Sequence, residues 1–149
     1  MIEQKRKIEL LHVEDNEADL MIIEDAFEDC ETEININAVH DGVEALEYLN
    51  RQGNFADSVR PDIILVDMNM PRMNGTEFLK RVKSDENLKD IPVIMCSSSD
   101  YENDVRDSYR NHANGYILKT CGIEKLMQTL KALEAFWFNT AIIPNYHND

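Results

Sequence analysis

Short apolar runs alternate with amphipathic stretches along the whole chain, and this alternation constrains the fold more than any other feature. The runs are rich in Ile, Val and Leu, and they predict strands over residues 8–13, 34–39, 63–66, 93–96 and 116–118. The runs 63–66 and 93–96 are apolar throughout, as expected for central strands of a parallel sheet that is covered on both faces.

The amphipathic stretches between the runs carry apolar residues three or four positions apart, which is the spacing of a helix with one buried face. They predict helices over residues 18–30, 43–49, 76–83, 101–111 and 123–138, the second after a capping Asp41. A strict alternation of strand and helix requires right-handed crossovers. The sequence therefore predicts a doubly wound α/β domain with a five-stranded parallel sheet.

A chain of 149 residues has the length of one domain, for which roughly 100–200 residues are usual. Because no repeat, low-complexity tract or linker divides it, we expect a single domain over 1–149 with a core over about 8–139 and a tail over 140–149. The tail is too short to form an effector domain, so we expect no output domain.

Composition excludes several classes of partner. Lys and Arg total 15 against 29 Asp and Glu, a net charge of -14 that repels nucleic acids and anionic membrane surfaces. Three cysteines without a C-x-x-C pair suit a reducing compartment, and no segment has the pattern of a signal peptide or a membrane span. We therefore expect a cytoplasmic protein that binds neither nucleic acid nor membrane.

Polar residues follow the predicted strands at the edge where ligands of open parallel sheets bind. Glu14 and Asp15 follow the first strand, Asp67 the third, Ser97 the fourth and Lys119 the fifth. Three converging carboxylates repel one another unless a cation lies among them, and Mg²⁺ prefers such oxygen ligands. With an ammonium and a hydroxyl alongside, this set predicts a cradle for a phosphoryl group and Asp67 as a nucleophile that forms an acyl phosphate.

Each residue has a simpler explanation when it is taken alone. Glu14 and Asp15 could cap a helix, the segment 97–100 could cap the next one, and Lys119 could be a solvated lysine. Because all of these residues lie at the carboxyl ends of parallel strands, coincidence is a poor explanation for their positions. The histidines lack metal-binding spacing, and His12 is expected to be a hydrogen-bonded interior residue.

The motifs at these positions resemble those of receiver domains of bacterial two-component response regulators. They are 11–16 (LHVEDN), 66–75 (VDMNMPRMNG), 91–98 (IPVIMCSS) and 114–119 (NGYILK). The resemblance implies the flavodoxin-like strand order 2-1-3-4-5. It also implies a protein that accepts a phosphoryl group on Asp67 from a sensor histidine kinase and signals through conformational change and protein contacts rather than as an enzyme.

The resemblance assigns a role to each residue of the site. The implied Mg²⁺ ligands are Glu14, Asp15, Asp67 and the backbone carbonyl of Asn69. Ser97 takes the place of the switch hydroxyl, Tyr116 that of the switch aromatic residue, and Lys119 that of the lysine that contacts the phosphoryl group.

Two positions depart from the pattern of the family. Thr120 replaces the proline that usually follows the lysine, so the 119–120 peptide bond should be trans and the loop after it should follow a different path. Glu14 replaces a commoner aspartate, and its longer side chain is expected to reach the ion through a water molecule.

A narrower resemblance is to small single-domain regulators that partner cyanobacterial phytochrome kinases. It depends on the polar connection over 51–62 and on the ending over 136–144. Regulators of this type dimerise, and the ending contains more apolar residues than packing against the sheet requires. Ile123, Leu126, Met127, Leu130 and Leu133 form a sheet-facing stripe that leaves out Phe136 and Phe138, while Ile142 and Ile143 extend past it. A symmetric homodimer would cover this cluster, and the alternative is that the tail folds back over its own domain.

Overall fold

The structure is a computed structural model that describes residues 6–119 and 122–147. Five parallel strands form one sheet in the order β2-β1-β3-β4-β5. The strands are β1 (Ile8–Val13), β2 (Ile34–Val39), β3 (Ile63–Asp67), β4 (Val93–Ser97) and β5 (Gly115–Leu118). The predicted strands and the strand order implied by the resemblance are confirmed, and Asp67 and Ser97 are the last residues of their strands.

Helices connect the strands in the predicted alternation. They are α1 (Glu17–Phe27), α2 (Gly42–Leu49), α3 (Gly75–Lys83), α4 (Glu102–Arg110) and α5 (Ile123–Leu133), with short 3-10 and π segments at Gly53–Phe55 and Glu134–Phe138. The first three begin at residues whose side chains accept the amide proton three residues on, namely Asn16, Asp41 and Asn74. The predicted Asp41 cap is confirmed.

Both faces of the sheet are covered, which confirms the doubly wound architecture. On one face Phe78 and Leu79 of α3 pack on Leu11 and Ile64, and on the other α1 and α5 cover a separate apolar cluster. β1, β3 and β4 are buried along their whole length. These central strands hold the carboxyl-end residues in fixed positions.

The end of the C-terminal helix differs from the prediction. Leu126, Leu130 and Leu133 face the sheet, but Ile123, assigned to the same stripe, is 66% exposed. After Leu133 the helix continues as a five-residue π segment with wider i→i+5 turns, and Phe138 at its end lies in the core. It is fully buried, with its ring centroid 5.5 Å from that of Phe27. The expectation that Phe138 lies off the buried stripe is therefore wrong.

The tail folds back over the amino ends of the strands. Ile143 is buried and its carbonyl oxygen accepts a hydrogen bond from Arg6 Nη2 at 3.3 Å. Tyr146 donates its hydroxyl to Asp90, and His147 Nε2 lies 3.1 Å from a carboxylate oxygen of Asp62. The chain itself thus covers part of the apolar ending that a dimer partner was expected to cover.

Among the described residues, no helix combines the length and the apolar character needed to cross a bilayer.

Candidate functional site

Four acidic side chains meet above the carboxyl ends of β1 and β3, and we call this group the acidic pocket. It consists of Glu14, Asp15, Asp19 and Asp67. Single carboxylate oxygens of Glu14, Asp15 and Asp67 lie within 4.8 Å of one another. The structure therefore brings together the three carboxylates that the sequence placed at this edge.

Asp19 was missed by the sequence analysis. It lies in the first turn of α1, where its backbone N–H donates to the Asn16 side chain at 3.1 Å. A side chain at this position commonly folds back onto the N–H of the capping residue, but here the Asn16 N–H donates to Glu14 at 3.3 Å. The Asp19 carboxylate instead reaches Lys119. The sequence feature that could have identified Asp19 is its place as an acidic residue in the first turn of a helix that begins at the site.

Lys119 joins the members of the acidic pocket. Its Nζ donates to Glu14 Oε1 at 2.6 Å, to Asp19 Oδ2 at 2.9 Å and to Asp67 Oδ1 at 3.1 Å. A lysine ammonium has three N–H donors, so all of them are used. Burial lowers the pKa of Lys119, but the carboxylates raise it more, and the net effect is a pKa above its usual value. Lys119 therefore stays charged.

The acidic pocket holds more negative charge than one lysine neutralises. Glu14 is 1% exposed, and burial together with the nearby Asp67 raises its pKa to about 7, despite the opposing hydrogen bond from Lys119. Asp15 is exposed, so solvent reaches the oxygens at the rim. A small divalent cation with oxygen and water ligands fits such a group because it offsets the repulsion among the carboxylates.

Ser97 and Tyr116 meet at a common point on the loop after β4. The fully buried Ser97 hydroxyl contacts the Met68 sulfur at 3.8 Å and accepts the Ser99 N–H at 3.0 Å. The Tyr116 hydroxyl donates to the Ser99 carbonyl oxygen at 2.8 Å. Two residues of the predicted site are thus linked through Ser99, and the Ser97 hydroxyl contacts Met68 and Ser99 rather than the Asp67 carboxylate.

Asn69 lies on the exposed loop between β3 and α3, two residues after Asp67. This loop approaches the strand closely at Gly75, where an added Cβ would lie 2.4 Å from the Asp67 carbonyl oxygen. The Gly75 N–H also donates to the Met68 carbonyl at 2.9 Å. The loop is therefore folded tightly against the end of β3, and only glycine fits at its closing position.

Two sequence expectations about neighbouring residues have different outcomes. His12 is buried, and burial, followed by the charge of Lys119, lowers its pKa to about 4. Its Nδ1 has no hydrogen-bond partner among the described residues, so the expectation of a hydrogen-bonded histidine is wrong for this atom. The expectation about the 119–120 bond concerns Thr120, which lies outside the described residues. The Lys119 N–H donates to the Ser97 carbonyl at 2.8 Å.

The five-stranded sheet with an acidic pocket and a lysine at its carboxyl edge defines a receiver domain. Residues 10–131 match the family model of the response regulator receiver domain, and the chain belongs to that family. It is therefore a signalling receiver of the two-component class.

Individual relatives extend this finding. The chain is 33% identical over 135 residues to the response regulator Rcp1 of Synechocystis sp., with coverage of 91% of this chain and 92% of Rcp1. It is similar to the crystal structure of the phosphorylated cyanobacterial phytochrome response regulator RcpA, with a TM-score of 0.89, 40% identity and coverage of 93% and 99% of the two chains. The Mn²⁺-bound form of Rcp1 gives a TM-score of 0.89 at 33% identity, also with coverage of 93% and 99%.

Proposed function

We propose that this chain accepts a phosphoryl group on Asp67 from a phosphohistidine of a sensor histidine kinase, with Mg²⁺ bound in the acidic pocket. The observation that carries the proposal is the position of Asp67, whose carboxylate lies 3.1 Å from Lys119 and beside Glu14 and Asp15. This is the arrangement that phosphoryl transfer requires, with a nucleophile, a fixed cation and ligands for a metal ion in one place.

The transfer forms one bond and breaks one. An oxygen of Asp67 attacks the phosphorus, the phosphorus–nitrogen bond breaks, and the imidazole leaves with the electron pair and takes up a proton. Lys119 holds Oδ1 of Asp67, which leaves Oδ2 as the attacking atom. Bound Mg²⁺ would neutralise charge on the phosphoryl oxygens. Asp15, Asp67 and the Asn69 carbonyl would hold the ion directly. Glu14 would reach it through a water molecule, because Lys119 and the Asn16 amide already engage its two oxygens.

The signal passes from Asp67 to the loop after β4. A phosphoryl group adds a charge of about -1.5 to -2, and it attracts the hydroxyl of Ser97. Because the Ser97 hydroxyl accepts the Ser99 N–H, its movement displaces Ser99 and the Tyr116 side chain bonded to it. Ser97 and Tyr116 thus act as the switch residues, and the output is a changed surface for protein contact.

The partners follow from the relatives and from the charge. RcpA is a cyanobacterial phytochrome response regulator, so we expect a kinase of the phytochrome type for this chain. The net charge of -14 disfavours nucleic acid and membrane surfaces, in keeping with a cytoplasmic protein. A homodimer remains part of the proposal, with Phe136 and Ile142, which are 54% and 56% exposed, at its interface.

Treatment with acetyl phosphate and Mg²⁺, followed by mass spectrometry of the intact chain, tests the phosphorylation. The wild type should gain the mass of one phosphoryl group, and Asp67→Asn should gain none. The exposed Asp57→Asn is the matched control and should behave as the wild type. An unchanged mass gain in Asp67→Asn would overturn the assignment of the acceptor.

Light scattering at micromolar concentration tests the homodimer. The wild type should be a dimer, and Phe136→Ser combined with Ile142→Ser should shift it toward monomer. Both residues are exposed, so the change leaves the buried Phe138 and Ile143 in place. A monomeric wild type would remove the dimer from the proposal without affecting the phosphorylation.

A further inference from the structure

A bidentate ion pair joins two loops at the rim of the site. The Arg72 guanidinium donates through Nε to Asp41 Oδ2 at 2.7 Å and through Nη2 to Oδ1 at 3.1 Å. Asp41 lies between β2 and α2, whereas Arg72 lies on the loop between β3 and α3. The Asp41 carboxylate is buried and also accepts the Glu44 N–H at 2.9 Å as the cap of α2. Planar, paired hydrogen bonds of this kind fix orientation as well as distance.

Arg72 has a backbone conformation that a side chain disfavours. Its φ is 62°, in the left-handed region that glycine adopts readily and other residues adopt uncommonly. Such residues persist when their surroundings hold them in place. The fork on Asp41 supplies that restraint here, which indicates that the path of this loop depends on the ion pair.

A backbone contact lies beside the ion pair. The Gly42 N–H donates to the Met73 carbonyl oxygen at 3.1 Å, and a Cβ on Gly42 would lie 2.8 Å from that oxygen. The amino end of α2 and the loop after β3 are therefore in close contact over two successive residues of each. Together these contacts form a clamp, which we define as Asp41, Gly42, Arg72 and Met73.

We propose that Asp41 and Arg72 are positioning residues of the phosphoryl-acceptor site, which hold the loop that carries Asn69, two residues after Asp67, in the conformation that binds Mg²⁺. The inference rests on the proposed function, in which that carbonyl is a ligand of Mg²⁺. A loop that is already ordered loses less conformational entropy when the ion binds, so the clamp strengthens binding without contacting the ion. Its two charges cancel, and the effect is on order rather than on the electrostatic field.

Charge and order can be separated by three variants. Asp41→Asn keeps a good helix cap but loses the ionic partner, Arg72→Gln loses the fork, and the double variant restores the original net charge. If only the field mattered, Asp41→Asn would weaken Mg²⁺ binding, Arg72→Gln would strengthen it, and the double variant would match the wild type. The clamp predicts instead that all three weaken binding to a similar extent, by about tenfold.

The experiment measures Mg²⁺ binding to the full chain by titration calorimetry and hydrogen exchange of the 68–74 amides in the metal-free protein. Exchange in this loop should speed up in all three variants. Arg72→Lys, which keeps the charge and the exposed position, should also weaken binding and speed exchange. The exposed Arg81→Gln on α3 is the matched control and should change neither quantity.

Two results would overturn the clamp. One is the result expected from charge alone, in which Mg²⁺ affinity shifts in opposite directions in the two single variants and equals the wild-type affinity in the double variant. The other is loop exchange that is unchanged in the double variant and in Arg72→Lys. Failure of the proposed function looks different, because a wild type that binds no Mg²⁺ removes the metal step while the exchange measurement still decides the clamp.

Discussion

Asp62 and Asp67 lie at the two ends of β3, and their carboxylates meet different surroundings. Asp62 accepts the Glu9 N–H at 2.8 Å and lies 3.0 Å from Arg6 Nη1 and 3.1 Å from His147 Nε2. It is a single buried carboxylate with several donors. Asp67, in contrast, shares the ammonium of Lys119 with two further carboxylates.

This difference separates a carboxylate that stabilises the fold from the proposed phosphoryl acceptor. At the amino edge, donors outnumber the acid, so the buried charge is compensated within the chain. At the carboxyl edge, acids outnumber the donor, and the pKa of Glu14 is raised first by its burial and then by the charge of Asp67. The edge with uncompensated charge is the one that can accept a cation and then a phosphoryl group. Removing one carboxylate from each edge should therefore have different effects.

The largest expected effect is on stability at the amino edge. Asp62→Ala leaves the Arg6 charge and the Glu9 N–H without their partner and should lower the free energy of unfolding by about 3 kcal/mol. Asp67→Ala relieves repulsion and should leave the metal-free protein as stable as the wild type or more stable. Urea unfolding in the presence of EDTA measures both. Equal losses in the two variants would contradict the distinction between the edges.

The next effect is the stabilisation by Mg²⁺ at the carboxyl edge. At a concentration 100 times the dissociation constant, the ion should add about 2.7 kcal/mol to the free energy of unfolding of the wild type. Asp15→Asn should lose most of this gain, and Glu14→Gln less of it because the protein already engages both Glu14 oxygens. Asp62→Asn, at the other edge, should keep the whole gain. A larger loss in Glu14→Gln than in Asp15→Asn would reverse the ligand assignment.

A smaller effect is expected from Asp19. It adds to the negative charge of the acidic pocket without being one of the proposed ligands, so Asp19→Asn should weaken Mg²⁺ binding by about 1 kcal/mol. The loss should shrink at high salt, since charge acting at a distance is screened. Calorimetric titration at two salt concentrations measures it, with the exposed Asp25→Asn of α1 as the control. A loss as large as that of Asp15→Asn would make Asp19 a ligand.

The smallest effect concerns Asp41, a carboxylate at the functional edge that does have its own partners. Burial raises the pKa of Asp41, but the hydrogen bonds from Arg72 and the Glu44 amide lower it more, so it lies below the usual 3.8. A carboxyl with a lowered native pKa stabilises the fold above its unfolded pKa, and this contribution is lost as the pH falls through the native value.

The stability difference between the wild type and Asp41→Asn should therefore be constant from about pH 5 to 7 and shrink below about pH 4. Urea unfolding over a pH series without metal measures it. A difference that grows on acidification would have the wrong sign for this explanation.

The sequence by itself determined the order and nature of the elements. The apolar runs and helical spacings are local patterns, so all five strands and five helices were found, with ends that differ by at most three residues except at the last helix. That helix was predicted to end at residue 138, whereas α5 ends at Leu133 and is followed by the π segment Glu134–Phe138. The positions of Asp67, Ser97 and Lys119 followed as well, because the carboxyl ends of parallel strands always share one edge. The motifs added the strand order through the resemblance.

The tertiary structure alone decided which distant groups meet. Asp19 contacts Lys119 across 100 residues of chain, and Arg72 reaches Asp41 across 31. The burial of Phe138 depends on the π segment after α5. The tail contacts Asp62 through His147 because it folds back over the amino ends of the strands. Periodicity reports which face of an element is buried, whereas ion pairs and turn geometry depend on how packed elements place their side chains. Those placements involve residues that no local pattern connects.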